Sequence, residues 1–519
     1  MIHTVLNRSS STELLVSSHA LQIDGDAELA LMLTAGGDER IALDPVTRRN
    51  KYGTLPLPAP SEVFFSSSTA SSITPYGFAA VADTWRRLKS DSRSEMLLVD
   101  EWFDDIRGRI KSNFGVTNCD VILAASGTET EYLAVAIALS TMQHPLTNIV
   151  IAPEETGRGV VQAANGSHFL ATAPFGDGLQ AGARLPGLEA ADIHVQSVEI
   201  RDFDGLLRTA ESVDDDVLKH ALLALSKDRG VLAHLLDISK TGRAGLGLQM
   251  ATRIAALAPE RIIILADCCQ LRSSPERVRM FLNCGFMVAV TGSKFAGGPP
   301  FCGALIVPHA ILDRIATLAL PEGLASHTSL LDWPQRLRDR VSPHVTSHSN
   351  LGLGLRWTAA LAETEKFFAV PRDIAERIQA RFKSDVVKFA QSVGLSPIAQ
   401  ERPAADWADT IIPIEIRNSD GSFASQAMAL ACKDALRAPM KARDSVLERM
   451  FHLGQPVAIG SSFALRVCLS APMISDVAAK FCAAGDFEEA VAPLSRDIAD
   501  LFAKWSILTN GDRSRKTSL

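Results

Sequence analysis

The 519-residue sequence predicts an α/β protein on a mainly parallel sheet, followed by a smaller α+β domain. Three observations carry that expectation. Apolar runs of strand length alternate with helical patterns between residues 120 and 308. Two consecutive runs, 261–266 and 286–290, lead into Asp267-Cys268-Cys269-Gln270 and Thr291-Gly292-Ser293-Lys294. Beyond Leu330 the alternation gives way to a long helical stretch and short strands.

The elements follow in order. The stretch to about residue 70 is mixed and ends in Pro- and Ser-rich sequence, which suits an arm with limited structure of its own. The spacing of Ala79, Val81, Trp85 and Leu88 predicts a helix from Gly77, and Leu97, Val99, Trp102, Ile106 and Ile110 predict a second. Residues 120–125 read as a strand, Ser126-Gly127-Thr128-Glu129 as a turn, and 130–142 as a helix. Further strands are expected over 148–152, 194–200, 231–237 and 303–308, with a helix over 249–258. Residues 164–173 have mixed character, and 221–225 fit either a helix or a strand. A helical pattern runs through 355–389, and short strands are expected at 410–416 and 463–469. The chain divides into an arm (1–70), a large α/β domain (71–335) and a C-terminal α+β domain (336–519).

Composition narrows the function. The chain can bury a large core. With 52 basic against 59 acidic residues the net charge is −7, which argues against a dedicated nucleic-acid binder and leaves small-molecule chemistry open. No apolar stretch is long enough to span a bilayer, and Met1-Ile2-His3-Thr4 does not open a basic-then-apolar leader, so the expected location is cytoplasmic. The 8 cysteines show no CxxC spacing. Adjacent Cys268 and Cys269 point to opposite faces of a strand end, so buried thiols are expected rather than a metal site or a disulfide.

Ligands bind at the carboxyl ends of parallel strands, where Asp267 and Lys294 fall. Lys294 follows a wholly apolar strand and precedes a Gly/Pro-rich loop, a setting that desolvates an amine and makes it nucleophilic. Most lysines are simply solvated, and an aspartate after a strand often only caps a turn. Together the two are what a pyridine-aldehyde cofactor needs: an amine for the Schiff base and a carboxylate for the ring nitrogen. Gln270 is placed to donate to a ring oxygen, or is merely a turn residue. The Ser126-Gly127-Thr128-Glu129 turn is either an anion site at a helix start or a plain N-cap with an acidic first turn. Thr291 and Ser293 add hydroxyls beside the lysine.

These segments, over roughly residues 70–475, resemble fold-type I pyridoxal-phosphate enzymes, and in particular the class V aminotransferase and cysteine desulfurase branch. The resemblance implies that Lys294 carries the cofactor as an internal aldimine and then serves as general base or acid, with Asp267 on the pyridinium. It implies Ser126, Gly127, Thr128, Thr291 and Ser293 at the phosphate, and Gln270 and Ser239 at the ring oxygen. Ser239 stands where the family has an asparagine. Arg466, in a C-terminal strand, would hold the substrate carboxylate; by itself it would read as an ion pair. The resemblance also implies a homodimer with shared sites, in which the loop of His344, Ser347, His348 and Ser349 would meet the neighbouring subunit's phosphate. Arg253, Arg261 and Arg272 read as solvated helix and strand ends.

The departures are informative. The family's Ser-x-His-Lys reads Thr291-Gly292-Ser293-Lys294. The ring that should follow strand 148–152 is absent from 153–159, so Glu155 or Thr156 would have to cover the cofactor face. No cysteine lies between Cys432 and Cys468, which demotes sulfur transfer. Aminotransfer on an amino acid or amine is therefore the leading expectation. A lyase (β-elimination or C–S cleavage) is the runner-up, and a non-catalytic protein on the same scaffold is a rival of another class. A nucleotide-binding protein is a poorer match, because the turn lacks a P-loop lysine and spaced glycines.

Overall fold

The computed structural model describes residues 25–516 except 92, 158, 316–319, 399–405, 419–420 and 441–444. The strands among them run β1 (Glu62–Phe65), β2 (Cys119–Ala124), β3 (Leu146–Ile151), β4 (Thr172–Ala173), β5 (Gly176–Asp177), β6 (Ile193–Val198) and β7 (Gly230–Leu236). They continue with β8 (Ile262–Cys268), β9 (Met287–Thr291), β10 (Gly303–Pro308), β11 (Ser396–Pro397), β12 (Ile411–Glu415), β13 (Met450–Ile459) and β14 (Ser462–Cys468).

A seven-stranded sheet in the order β2-β10-β9-β8-β7-β3-β6 forms the centre. Its pairs from β9 across to β6 are parallel, and β10 alone runs against both of its neighbours. Such a sheet needs apolar side chains on both faces, and β7, β9 and β10 are buried along their whole length. Phe103, Ile106, Val121, Ile264, Val288 and Leu353 pack on one face. Leu133, Ile137, Leu232, Leu265, Met287 and Trp333 pack on the other.

The helices follow their local chemistry. Pro75–Ser90 starts where the Thr74 hydroxyl accepts the Gly77 amide. Glu95–Phe114 stops at Gly115, whose φ of 63° only glycine adopts freely. Residues 221–225 are the end of a helix, Ala210–Ser226, capped by Thr209. The long pattern over 355–389 is two helices, Leu351–Phe368 and Arg372–Ser392, because Pro371 cannot continue the first and caps the second. Among the described residues, no helix is long and apolar enough to cross a membrane.

A second sheet, β1-β13-β14-β12-β11, lies over a core of Phe382, Ile414, Phe451, Leu465 and Trp505. Strand β1 comes from the segment expected to be a loosely structured arm, and it pairs in parallel with β13, Glu62 opposite Met450. The arm also contains the helix Gly25–Thr34. Arg356 fixes it from the interior, donating to the carbonyls of Leu33, Ala35 and Gly36 and to that of Phe301.

Candidate active site

The carboxyl ends of the central strands open into one cavity of about 520 Å³. Asp267, the next-to-last residue of β8, and Lys294, three residues beyond β9, both line it. The parallel pairing sets them on neighbouring strands, with Asp267 opposite Ala289. Ser126, Gly127, Thr128, Thr156, Gln270, Thr291, Ser293 and Arg466 line the same space. Gly127 is needed where it stands: a Cβ there would lie 2.9 Å from Cys269 Sγ and 3.0 Å from Thr291 Cγ2, so any side chain would push the turn off the strand ends.

Ser239 is set apart from these. It does not line the cavity; its hydroxyl donates to Glu155 Oε2 at 2.8 Å. Thr241 and Arg201 also donate to Glu155, so both oxygens of this cavity-lining carboxylate already have protein partners. Thr156 faces in as well, although its hydroxyl is tied to the Pro153 carbonyl at 3.2 Å. The aromatic surface missing from 153–159 comes from elsewhere, because Phe169, Phe301, Phe463 and Tyr52 all line the cavity. Phe169 reaches in across Gly159, where a Cβ would meet its ring at 2.9 Å. His344 and His348 are not among the lining residues.

Asp267 is braced rather than free to turn. Its Oδ1 accepts the Cys269 amide at 2.9 Å. Behind it His234 lies 3.4 Å from Glu131 and 3.0 Å from Asn148 Oδ1. Burial pushes the Glu131 carboxyl well up, helped by the negative charge of Asp267, and lowers the His234 imidazole to about 4.

Arg466 is 1% exposed, and burial lowers its guanidinium to about 10. It donates to Thr69 Oγ1 (3.0 Å), the Gln455 carbonyl (2.6 Å) and the Lys240 carbonyl (3.5 Å), while its Nε has no partner among the described residues. The Gln455 carbonyl is aimed at it by a break in the β13–β14 register between Gly454 and Val457. Gly454 makes room, since a Cβ there would be 3.0 Å from the guanidinium carbon.

Two expectations are corrected. Arg272 is not solvated: it is fully buried, donating to Thr410 Oγ1 just before β12, to the Leu469 carbonyl just after β14 and to Ser67 Oγ in the arm. The arm is a wall of the site, since Arg40, Lys51, Tyr52, Ser68 and Thr69 all line the cavity. No periodicity marks these residues in the sequence. The nearest signal is Gly454-Gln455-Pro456, a glycine and a proline inside a strand, which points to a bulge.

The sequence matches no family model and no curated protein. Solved structures do match the fold. A NifS-like protein superposes with a TM-score of 0.52 at 12% identity, covering 85% of this chain and 99% of its own. The ureidoglycine-glyoxylate aminotransferase of Bacillus subtilis gives 0.51 at 12% identity, covering 88% and 94%. A cysteine desulfurase from Thermococcus onnurineus NA1 gives 0.51 at 11% identity, covering 85% and 95%. The fold is that of the fold-type I transferases. On that scaffold the strand-end cavity holds the amine, the carboxylate and the buried guanidinium together.

The residues present fit a pyridoxal-phosphate group. Arg466 Nε is buried and lacks a partner among the described residues, and Gln270, whose Nε2 donates to the Ser68 carbonyl at 3.2 Å, lines the cavity beside it. The donors at the cavity are an amine, a guanidinium, hydroxyls and a helix start, with an acid opposite; this set suits an anionic aromatic aldehyde.

Proposed function

We propose that this protein is a pyridoxal-phosphate-dependent aminotransferase acting on a carboxylate-bearing amine. The observation that carries the reading is the meeting of Lys294, Asp267 and the incompletely partnered Arg466 in one cavity. Bound pyridoxal phosphate supplies an electron sink for the bond broken at the substrate α-carbon. Lys294 holds the cofactor through Nζ and, once displaced by substrate, moves a proton at the α-carbon. Asp267 keeps a proton at the ring nitrogen, and its brace from the Cys269 amide fixes its direction. Arg466 orients the substrate carboxylate with its planar fork. Ser126, Gly127, Thr128, Thr291 and Ser293 sit where the phosphate end would lie, and Gln270 faces the ring oxygen. The arm and the aromatic walls exclude water from the proton transfer.

A lyase on the same site shares the first proton transfer, so the decisive experiment reads the products. Protein mixed with pyridoxal phosphate should turn yellow, and borohydride should fix the cofactor on Lys294. Lys294→Ala should lose both the colour and the activity. Against a panel of amino acids, conversion to the pyridoxamine form without free ammonia supports aminotransfer. Release of ammonia with a keto acid and no acceptor would establish the lyase instead. A protein that stays colourless with added cofactor would end the reading altogether.

A further inference from the structure

The helix Glu129–Met142 begins at the cavity with an anion already in its first turn. Glu129 is 1% exposed, and its carboxylate accepts the Ser126 hydroxyl. Its Oε1 is buried without a partner among the described residues. Arg40, from the arm, places Nη2 3.9 Å from Glu129 Oε2 and 3.5 Å from Ser126 Oγ. That guanidinium lies over the rings of Phe169 and Phe301, at 5.0 and 4.7 Å. Asp38 holds it through two oxygens, Nε at 2.9 Å and Nη2 at 2.6 Å.

A helix start with a cation beside it is an anion site, and here protein carboxylates fill it. The hydroxyls nearby cannot neutralise a phosphate, and that of Thr291 already donates to the Cys269 carbonyl at 2.7 Å. Arg40 is the cation that reaches Ser126. Its fork matches phosphate oxygens as well as it matches Asp38.

We propose that Arg40 receives the cofactor's phosphate, and that Glu129 is a resident carboxylate holding Ser126 and Arg40 in place until the phosphate arrives. This rests on the pyridoxal-phosphate reading above. Burial pushes the Glu129 carboxyl up, so it can take a proton when a second anion comes near. The sequence motif alone places the site on Ser126, Gly127 and Thr128. The structure adds a charge from a segment some 86 residues earlier.

The test compares pyridoxal phosphate with pyridoxal, which has the aldehyde but no phosphate, on the full-length protein. Affinities come from visible absorbance and from borohydride trapping at Lys294. Arg40→Ala should weaken pyridoxal phosphate by about 10- to 100-fold while leaving pyridoxal within about twofold, the size of a lost charge-assisted contact. Glu129→Gln should move the same ratio the other way, by removing the competing anion while keeping an acceptor for Ser126. Equal losses for both ligands, or a ratio that neither variant moves, would overturn the assignment. If Arg40→Ala does not fold, Glu129→Gln and Arg40→Lys decide it, the latter by an intermediate ratio. If wild-type protein takes up neither ligand, the cofactor reading itself has failed and this assignment falls with it.

Discussion

Arg466 and Arg356 are both buried to within 1% exposure, and burial lowers each guanidinium to about 10. By burial and by acidity they are twins. Their partners separate them. Arg356 sends every arm of its fork to a carbonyl, joining Phe301 to the end of the arm's helix, and it is not among the residues lining the active-site cavity. Arg466 lines the cavity and keeps Nε without a partner among the described residues. A buried cation whose three nitrogens all have partners is a fastener, and one with a nitrogen left over has room for a ligand. The unmet hydrogen bond, more than the perturbed pKa, marks the functional residue.

That contrast can be broken experimentally. The largest effect should come from Arg356→Met, which leaves four carbonyl contacts unmet near the arm. Unfolding free energy should fall by about 3–5 kcal/mol in urea melts. A loss under about 1 kcal/mol would sink the fastener role. Arg466→Met, which leaves two carbonyls and one hydroxyl unmet, should cost less in the same melt, about 1–3 kcal/mol. Its kcat/KM for a carboxylate-bearing amine should drop about 30- to 1000-fold, mostly in KM, as for a lost buried charge pair. A variant equally impaired on an amine lacking the carboxylate would show that Arg466 acts on something else.

A pH test sharpens the fastener side. Burial pushes the Asp332 carboxyl, beside Arg107 and Arg356, up to about 7 from an ordinary 3.8. Because the folded value is the higher one, its contribution is complete below about 4 and fades as pH rises through 7. Melting temperature should therefore fall between pH 5.5 and 8.5 in wild type and stay flatter in Asp332→Asn; parallel profiles would refute this. The smallest change is expected from Ser239→Ala. Its hydroxyl serves Glu155 rather than the cavity, so cofactor affinity should shift by less than about threefold, the worth of one neutral hydrogen bond. A tenfold loss would return Ser239 to the cofactor.

The sheet and its reactive edge were legible because they depend on local pattern. Continuous apolar runs give buried strands, and the residues that end them arrive at one edge whatever else the chain does. Asp267, Lys294 and the turn at Ser126 were readable for that reason. The arm's part in the site was not, because Arg40 reaches Ser126 86 residues on, Ser68 reaches Gln270 202 residues on and Thr69 reaches Arg466 397 residues on, and such contacts leave no period in the sequence. Arg272 misled for the same reason: its place after a strand says nothing about Ser67 and Thr410 closing over it. Strand β13 went unseen because Gly454-Gln455-Pro456 interrupts its alternation, and that interruption is what turns the Gln455 carbonyl toward Arg466.

The pairing of β1 with β13 has a consequence for biogenesis. Glu62 finds Met450 only after most of the polypeptide has left the ribosome, and Arg466 emerges later still. A nascent chain can assemble the central sheet early, yet it has no finished chamber until synthesis is nearly over. The cavity should therefore be completed only after translation, and the half-built intermediate is the stage most exposed to aggregation.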